Sequence, residues 1–232
     1  GELVGRGTVA RRIVDVVQAG VGNVRGSLGI TTVGTSAIFG AISGASAATD
    51  ATVGKIMYQA MQKAGYTERF SAGLITAVGA IDIIIPPSIP MVIYALVSGS
   101  SVGALFLGGV MPGVLMTLLM MLTVHIIATK RNMPRDEPIA RSEWAGILWR
   151  GAAPLSLPVV LLGGIYSGVF TPTEAAAVAA LHALVLSAFV FKALSLRAFW
   201  DVVIESARAS AVITIILAGS FMLQYAFTAE GV

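Results

Sequence analysis

Cysteine is absent from these 232 residues, and histidine occurs only at His125 and His182. Disulfides and thiolate metal sites are thereby excluded, and the two histidines are too far apart in sequence to give a metal-ligand spacing. Charge is scarce too. Asp, Glu, Lys and Arg make up 12% of the chain, against about 25% in a soluble domain. Hydrophobic residues reach 56%. That balance sets the class: an all-α polytopic membrane protein. No sustained period-2 alternation occurs, which favours a helical bundle over a transmembrane barrel. No phosphate-cradling loop is present, so the chain itself is not expected to hydrolyse ATP. No aromatics interleave with a basic run, so no nucleic-acid partner is expected. A Ser-His-Asp set can be assembled only from scattered residues without a nucleophile elbow, so no enzyme is expected. No signal-peptide pattern, low-complexity segment or short repeat is seen.

What is present is a set of apolar runs of about 20 residues, enough to cross a bilayer as helix. The run from Phe70 to Val97 contains one charged residue, Asp82. Its middle reads Ile83-Ile84-Ile85-Pro86-Pro87-Ser88-Ile89-Pro90. Each proline removes a backbone donor and clashes with the preceding turn. In lipid, such a break is tolerated only where protein or a polar cavity meets it. Discontinuous helices of this kind line the sites of secondary transporters. Ser88 offers a hydroxyl there, and neighbouring carbonyls offer oxygens.

A second irregular stretch lies upstream. Ser43-Gly44-Ala45-Ser46, with Thr49 and Asp50, separates two apolar arms at 27–49 and 51–62. Arg25 precedes the first arm, and Lys55, Lys63 and Arg69 lie in or after the second. If all face the cytoplasm, the chain enters and leaves on one side, as a re-entrant hairpin with its tip at Ser43–Thr49. The tip supplies hard oxygen donors for Na⁺ or a carboxylate-bearing substrate. Its blander reading is tight helix packing through small residues, with Asp50 as a cap of the second arm.

Charge then sorts the rest. An amphipathic, interfacial segment covers 1–26 and the hairpin 27–66. A broken helix and the following span, 67–129, form a transport domain. Residues 130–150 form a cytoplasmic loop carrying Lys130, Arg131, Arg135, Arg141 and Arg150. Further transmembrane helices fill 151–232, with an amphipathic connector at 195–207 and a last span at 209–227. Thr171-Pro172-Thr173-Glu174 has the spacing of a capping box. Thr171 and Glu174 are secondary site candidates, since a cap explains them equally well. His125 and His182 are expected to pack or hydrogen-bond inside the bundle. Asp82 binds a cation or a proton, pairs with a basic residue, or faces a water-filled cavity with no ligand of its own. Gly1 is not methionine and Val232 follows a polar turn, so the chain reads as a fragment of a longer membrane protein.

Three stretches carry a family resemblance. Phe39 to Ala48, Ile84 to Tyr94 and Gly164 to Ala177 resemble, in the right order, three signatures of the large membrane subunit of TRAP transporters. These are the tripartite ATP-independent periplasmic transporters. The resemblance covers essentially the whole chain and corresponds to the middle of the longer family protein. It implies a permease of the bacterial inner membrane working as an elevator. It implies Na⁺ symport of an organic acid, a C4-dicarboxylate or sugar acid, with no organic cofactor. The implied partners are a periplasmic solute-binding protein and a small membrane subunit. Carried over, Ser43, Gly44, Ala45, Ser46, Pro86, Pro87 and Ser88 frame one side of the substrate cavity, with Na⁺ near Ser43, Gly44, Ser46, Pro86 and Ser88. One departure stands out: the family commonly has glycine near the position of Asp82. The alternatives are an ion-coupled carboxylate transporter without a binding protein, a channel filtering through the broken segment, or a scaffold subunit.

Overall fold

The structure, a computed structural model, describes residues 8–44, 49–135, 139–192 and 194–230. Every regular element among them is helical, and Arg25–Arg135 forms an isolated bridge. The chain divides into two compact units, the second beginning at Leu194.

The first unit is built around α2, Ser27–Ser43. This helix carries no charge, and every residue from Ser27 to Ala37 is buried. A helix apolar or small on all sides belongs in an interior. It packs against α1 (Thr8–Val21), α4 (Glu68–Ile84) and α6 (Val102–Lys130). α1 buries Val9, Ala10, Ile13 and Val14, the single apolar face expected of an amphipathic segment. A π-helical turn, Asp50–Gly54, leads into α3, Lys55–Lys63, and both lie against α2 and α4.

α2 and α3 begin and end at the same place. The Gly26 amide donates to the Pro134 carbonyl at 3.4 Å. A Cβ on Gly65, just past α3, would stand 4.0 Å from Pro134 Cγ. Arg25 also donates to Asn132, and His125 Nδ1 lies 3.3 Å from the Arg25 carbonyl. Seventeen residues of α2 span only about 25 Å at 1.5 Å per residue, less than a bilayer core of about 30 Å. The pair is therefore a helical hairpin whose two feet rest on the loop after α6.

α4 continues through a break at residues 85–88 into α5, Ile89–Ser98. α6 follows without interruption despite Pro112. The segment 130–150 is helical from Arg141 onward, so Arg141 and Arg150 stand on the first turns of α7, Arg141–Tyr166. α7 packs on α1 and on α8, Pro172–Val185, which a second π turn extends to Val190. His182 Nε2 meets Ser156 Oγ at 2.8 Å, joining α8 to α7.

The second unit is one helix, α9, Leu196–Glu230. The connector expected at 195–207 and the span at 209–227 are thus a single element. A change from mixed to apolar composition ends no helix; that takes Gly, Pro or a cap, and residues 196–218 contain neither Gly nor Pro.

Among the described residues five helices are long and apolar enough to cross a membrane: Glu68–Ser98 with its break, Val102–Lys130, Arg141–Tyr166, Pro172–Val190 and Leu196–Ala229. On α6 alone, Leu107, Met111, Leu115, Leu118, Leu119 and Leu122 are exposed. A water-soluble monomer rarely presents so large a continuous apolar surface.

Candidate functional site

α2 ends because Ser43 is followed by Gly44 at φ 65°, ψ 8°, a left-handed cap that L side chains rarely adopt. The Gly44 amide closes the helix on the Gly40 carbonyl at 2.8 Å. Its own carbonyl is turned outward and accepts the amide of Ile89 at 3.2 Å. A Cβ on Gly44 would stand 2.9 Å from the Pro87 carbonyl. The hairpin tip and the helix break are therefore clasped together, main chain to main chain.

The break has a chemical cause. Ile85 is the last residue to donate within α4, to the Ile81 carbonyl at 2.9 Å. Pro86 and Pro87, joined by a cis peptide bond, have no amide for the carbonyls of Asp82 and Ile83. The Ser88 hydroxyl replaces one missing donor, giving its hydrogen to the Ile83 carbonyl at 2.7 Å. Ser88 is fully buried and keeps its oxygen lone pairs. Protein surrounds the break: Gly113 of α6 abuts Ile85, and Gly109 of α6 leaves room for the Ile84 carbonyl.

A second polar locus lies one turn upstream. Asp82 is 1% exposed. Its carboxylate rests on Gly40 of α2, where a Cβ would overlap Oδ1. Neither carboxylate oxygen has a well-formed hydrogen bond, although the Thr49 hydroxyl lies beside them. Asp50 also faces inward. Its Oδ2 would be 2.7 Å from a Cβ on Gly79 of α4, and its Oδ1 has no partner. Asp50 stands inside the π turn with Thr49 already helical before it, so it does not occupy the cap position that the sequence offers as one alternative. The π turn directs it across to α4 instead.

The structure thus brings Gly44, Pro87 and Ser88 together, with Ser43 ending α2 beside them and Pro86 buried in the break. Thr49 and Asp82 form the neighbouring locus. Ala45 and Ser46 lie outside the described residues. Thr171 and Glu174 are elsewhere, between α7 and α8. Glu174 accepts the Thr171 amide at 2.8 Å, and Thr171 Oγ1 accepts the Glu174 amide at 3.3 Å. Their polar groups are used by a complete capping box. Gly40, Gly79 and the inward turn of Asp50 escaped the sequence reading. The available signal was the three-residue spacing of Gly79 and Asp82, which puts both on one face of α4.

The oxygens suited to a hard monovalent cation are those of the clasp: carbonyls at Gly44, Asp82 and Pro86, and the Ser43 and Ser88 hydroxyls. Among the described residues no group of three or more His, Cys, Asp and Glu is arranged to hold a metal ion. An open groove lined by Lys55, Tyr58, Gln59 and Thr76 runs along α3 and α4 and includes none of these residues.

Comparison with known proteins adds a family. The family model described as "Tripartite ATP-independent periplasmic transporter, DctM component" matches residues 1–232. The chain is 40% identical over 230 residues to the C4-dicarboxylate TRAP transporter large permease protein DctM of Pseudomonas aeruginosa, covering 99% of this chain and 54% of the relative. It is 38% identical to the ectoine/5-hydroxyectoine large permease UehC of Ruegeria pomeroyi, covering 93% and 50%. It is 36% identical to the sialic acid large permease SiaM of Vibrio cholerae, covering 94% and 51%. The chain spans about half the length of these curated relatives.

Proposed function

Since the chain belongs to the DctM component family of TRAP transporters, multi-pass permeases of the bacterial inner membrane and not enzymes, we propose that it forms half of the site of a Na⁺-coupled importer of organic acids. The observation that carries this reading is the clasp between Gly44 and the Pro87–Ile89 break. Two interrupted helices meeting through their main chains leave carbonyls free of helical partners inside a protein-lined, apolar region. Such carbonyls and hydroxyls replace the water shell of Na⁺. Ion binding bridges hairpin and broken helix, and the filled site presents helix N-termini to a substrate carboxylate.

Hairpin, break and following span move together as the transport domain of an elevator, carrying ion and substrate across without covalent chemistry. A periplasmic binding protein delivers the substrate, and a small membrane subunit accompanies the permease; one relative is named as a DctMQ permease. The substrate is an organic acid of the dicarboxylate or sugar-acid kind. The relatives' names differ in substrate, so in this reading the clasp serves coupling and selectivity belongs to side chains around it.

Counterflow of labelled organic acids in proteoliposomes holding the full-length protein and its partners tests this. Uptake is expected to need both Na⁺ and the binding protein. Uptake without the binding protein points to an autonomous carboxylate transporter. Non-saturating flux points to a channel, and no flux to a scaffold.

A further inference from the structure

Away from the clasp, α1 crosses α7 at Gly151, where a Cβ would overlap Val16 Cγ2 and lie 3.7 Å from the Arg12 carbonyl. That close approach sets the Arg12 guanidinium at a junction of three elements. Its central carbon stands 4.6 Å from the centre of the Phe191 ring, just past the π turn that extends α8. Its Nη1 lies 3.5 Å from the Arg150 carbonyl of α7. Arg12 is thus half-buried and held on two sides. A guanidinium carries five donors, and the contact to Arg150 engages one nitrogen.

More positive charge gathers around it. Arg11 and Lys192 neighbour Arg12 and Phe191 in the chain, and both are exposed. Arg150 is exposed too, with its Nε turned back to the Gly146 carbonyl at 3.1 Å. The acid at this junction is Asp15, on which the charges of Arg150 and Arg11 both act. Glu143 stands on the first turn of α7, where Arg141 balances it. Among the described residues, the junction therefore sets four cations against one carboxylate.

Its depth follows from α8. With its π turn, Pro172–Val190 has 19 residues and rises about 28 Å at 1.5 Å per residue. A bilayer core is about 30 Å thick. Phe191 and Lys192 thus stand where hydrocarbon ends, on the side that the positive-inside rule assigns to the cytoplasm. Apolar side chains flank the cations there: Trp149 is 83% exposed, Phe189 75% and Val190 50%. A soluble anion would use the cations and leave these side chains bare. A phospholipid uses both. Its phosphate oxygens accept from guanidinium and ammonium donors, and its acyl chain covers the apolar residues. Tryptophan at headgroup level is the usual interfacial arrangement. A zwitterionic headgroup brings its own cation against the positive excess, so the charge favours an anionic one.

We propose that the junction of α1, α7 and the end of α8 is a binding site for an anionic phospholipid of the cytoplasmic leaflet. Arg12 is the fixed anchor for its phosphate, Arg150 and Lys192 supply flanking charge, and Phe189 and Val190 line the start of an acyl chain. Bound there, the lipid ties the interfacial helix α1 to α7 and α8. The clasp and the transport reaction play no part in this site.

Native mass spectrometry of the purified full-length protein, stripped of lipid and titrated with phosphatidylglycerol or phosphatidylcholine, tests this. The wild type is expected to take up phosphatidylglycerol in preference. Arg12→Gln and Lys192→Gln should each weaken the first phosphatidylglycerol adduct about fivefold, the effect of removing one cation near an anionic headgroup. Arg141→Gln, on the far turn of α7, should match the wild type. Lys192 is exposed and outside the α1–α7 crossing, so its variant decides the matter if Arg12→Gln fails to fold. Wild-type adducts in both Arg12→Gln and Lys192→Gln would overturn the site. Equal binding of the two lipids by the wild type would also overturn it and leave the cations to a protein partner. Displacement of the lipid by an equal concentration of glycerol phosphate would overturn it in favour of a soluble anion.

Discussion

Gly40 and Asp82 form a pair in which each residue makes sense only through the other. The carboxylate occupies the space a side chain at 40 would take. Gly40→Ala is therefore expected to overpack this contact and cost about 1–3 kcal/mol, read as a lower melting temperature in detergent. Asp82→Gly in the same protein should restore most of that loss, because the obstructing group is gone. Additive losses in the double variant would show that the contact is not the cause. Ser46 and Ser88 are two of the hydroxyls that the family resemblance puts near the ion, and of these the structure describes Ser88. Ser46→Leu and Ser88→Leu in the full-length protein should abolish Na⁺-dependent uptake while membrane insertion, followed by fractionation, persists. Normal uptake in both would remove the assignment. Part of this site could be read from the sequence. Pro86, Pro87 and Ser88 announce themselves, because proline chemistry is local. Gly40 against Asp82 does not, because the contact joins residues 42 positions apart and glycine carries no side chain to advertise it.

Among the elements, the capping box of α8 was the most legible, since Thr171, Pro172 and Glu174 each act on atoms within one helical turn. Thr171 and Glu174 are exposed, and their polar groups are engaged with each other in the box. Thr171→Ala should destabilise by about 1 kcal/mol and leave transport intact in the same vesicle assay. A transport defect out of proportion to the stability loss would make Thr171 part of the site. The hairpin was legible for a different reason: basic residues on both feet and small residues at its tip. α9 was misread because composition was allowed to stand for backbone continuity. The turn of Asp50 toward α4 was hidden for a subtler reason. A π turn rotates the residues it carries relative to an α-helix, and nothing in Asp50-Ala51-Thr52-Val53-Gly54 distinguishes the two.

At the scale of the first unit, both feet of the hairpin and the end of α6 converge on Pro134, with Arg25, Lys130, Arg131 and Arg135 close by in the chain. The positive-inside rule assigns that end to the cytoplasm. The absence of cysteine from these residues makes this directly measurable by single-cysteine labelling. Cysteines placed at Arg25, Lys63 and Arg131 should all react from the cytoplasmic side, and one at Ser100 from the opposite side. Labelling of residues 25 and 63 from opposite faces would turn the hairpin into a spanning pair.

The clasp between Gly44 and Ile89 is made of a carbonyl and an amide, atoms that every residue at those positions possesses. Point mutation rarely reaches such a joint: almost any change at Ile89 leaves the amide in place, proline being the exception. Lineages could thus remodel the surrounding side chains for a new cargo while inheriting the joint unchanged. Only Gly44, held at a backbone angle that other residues resist, exposes it to selection.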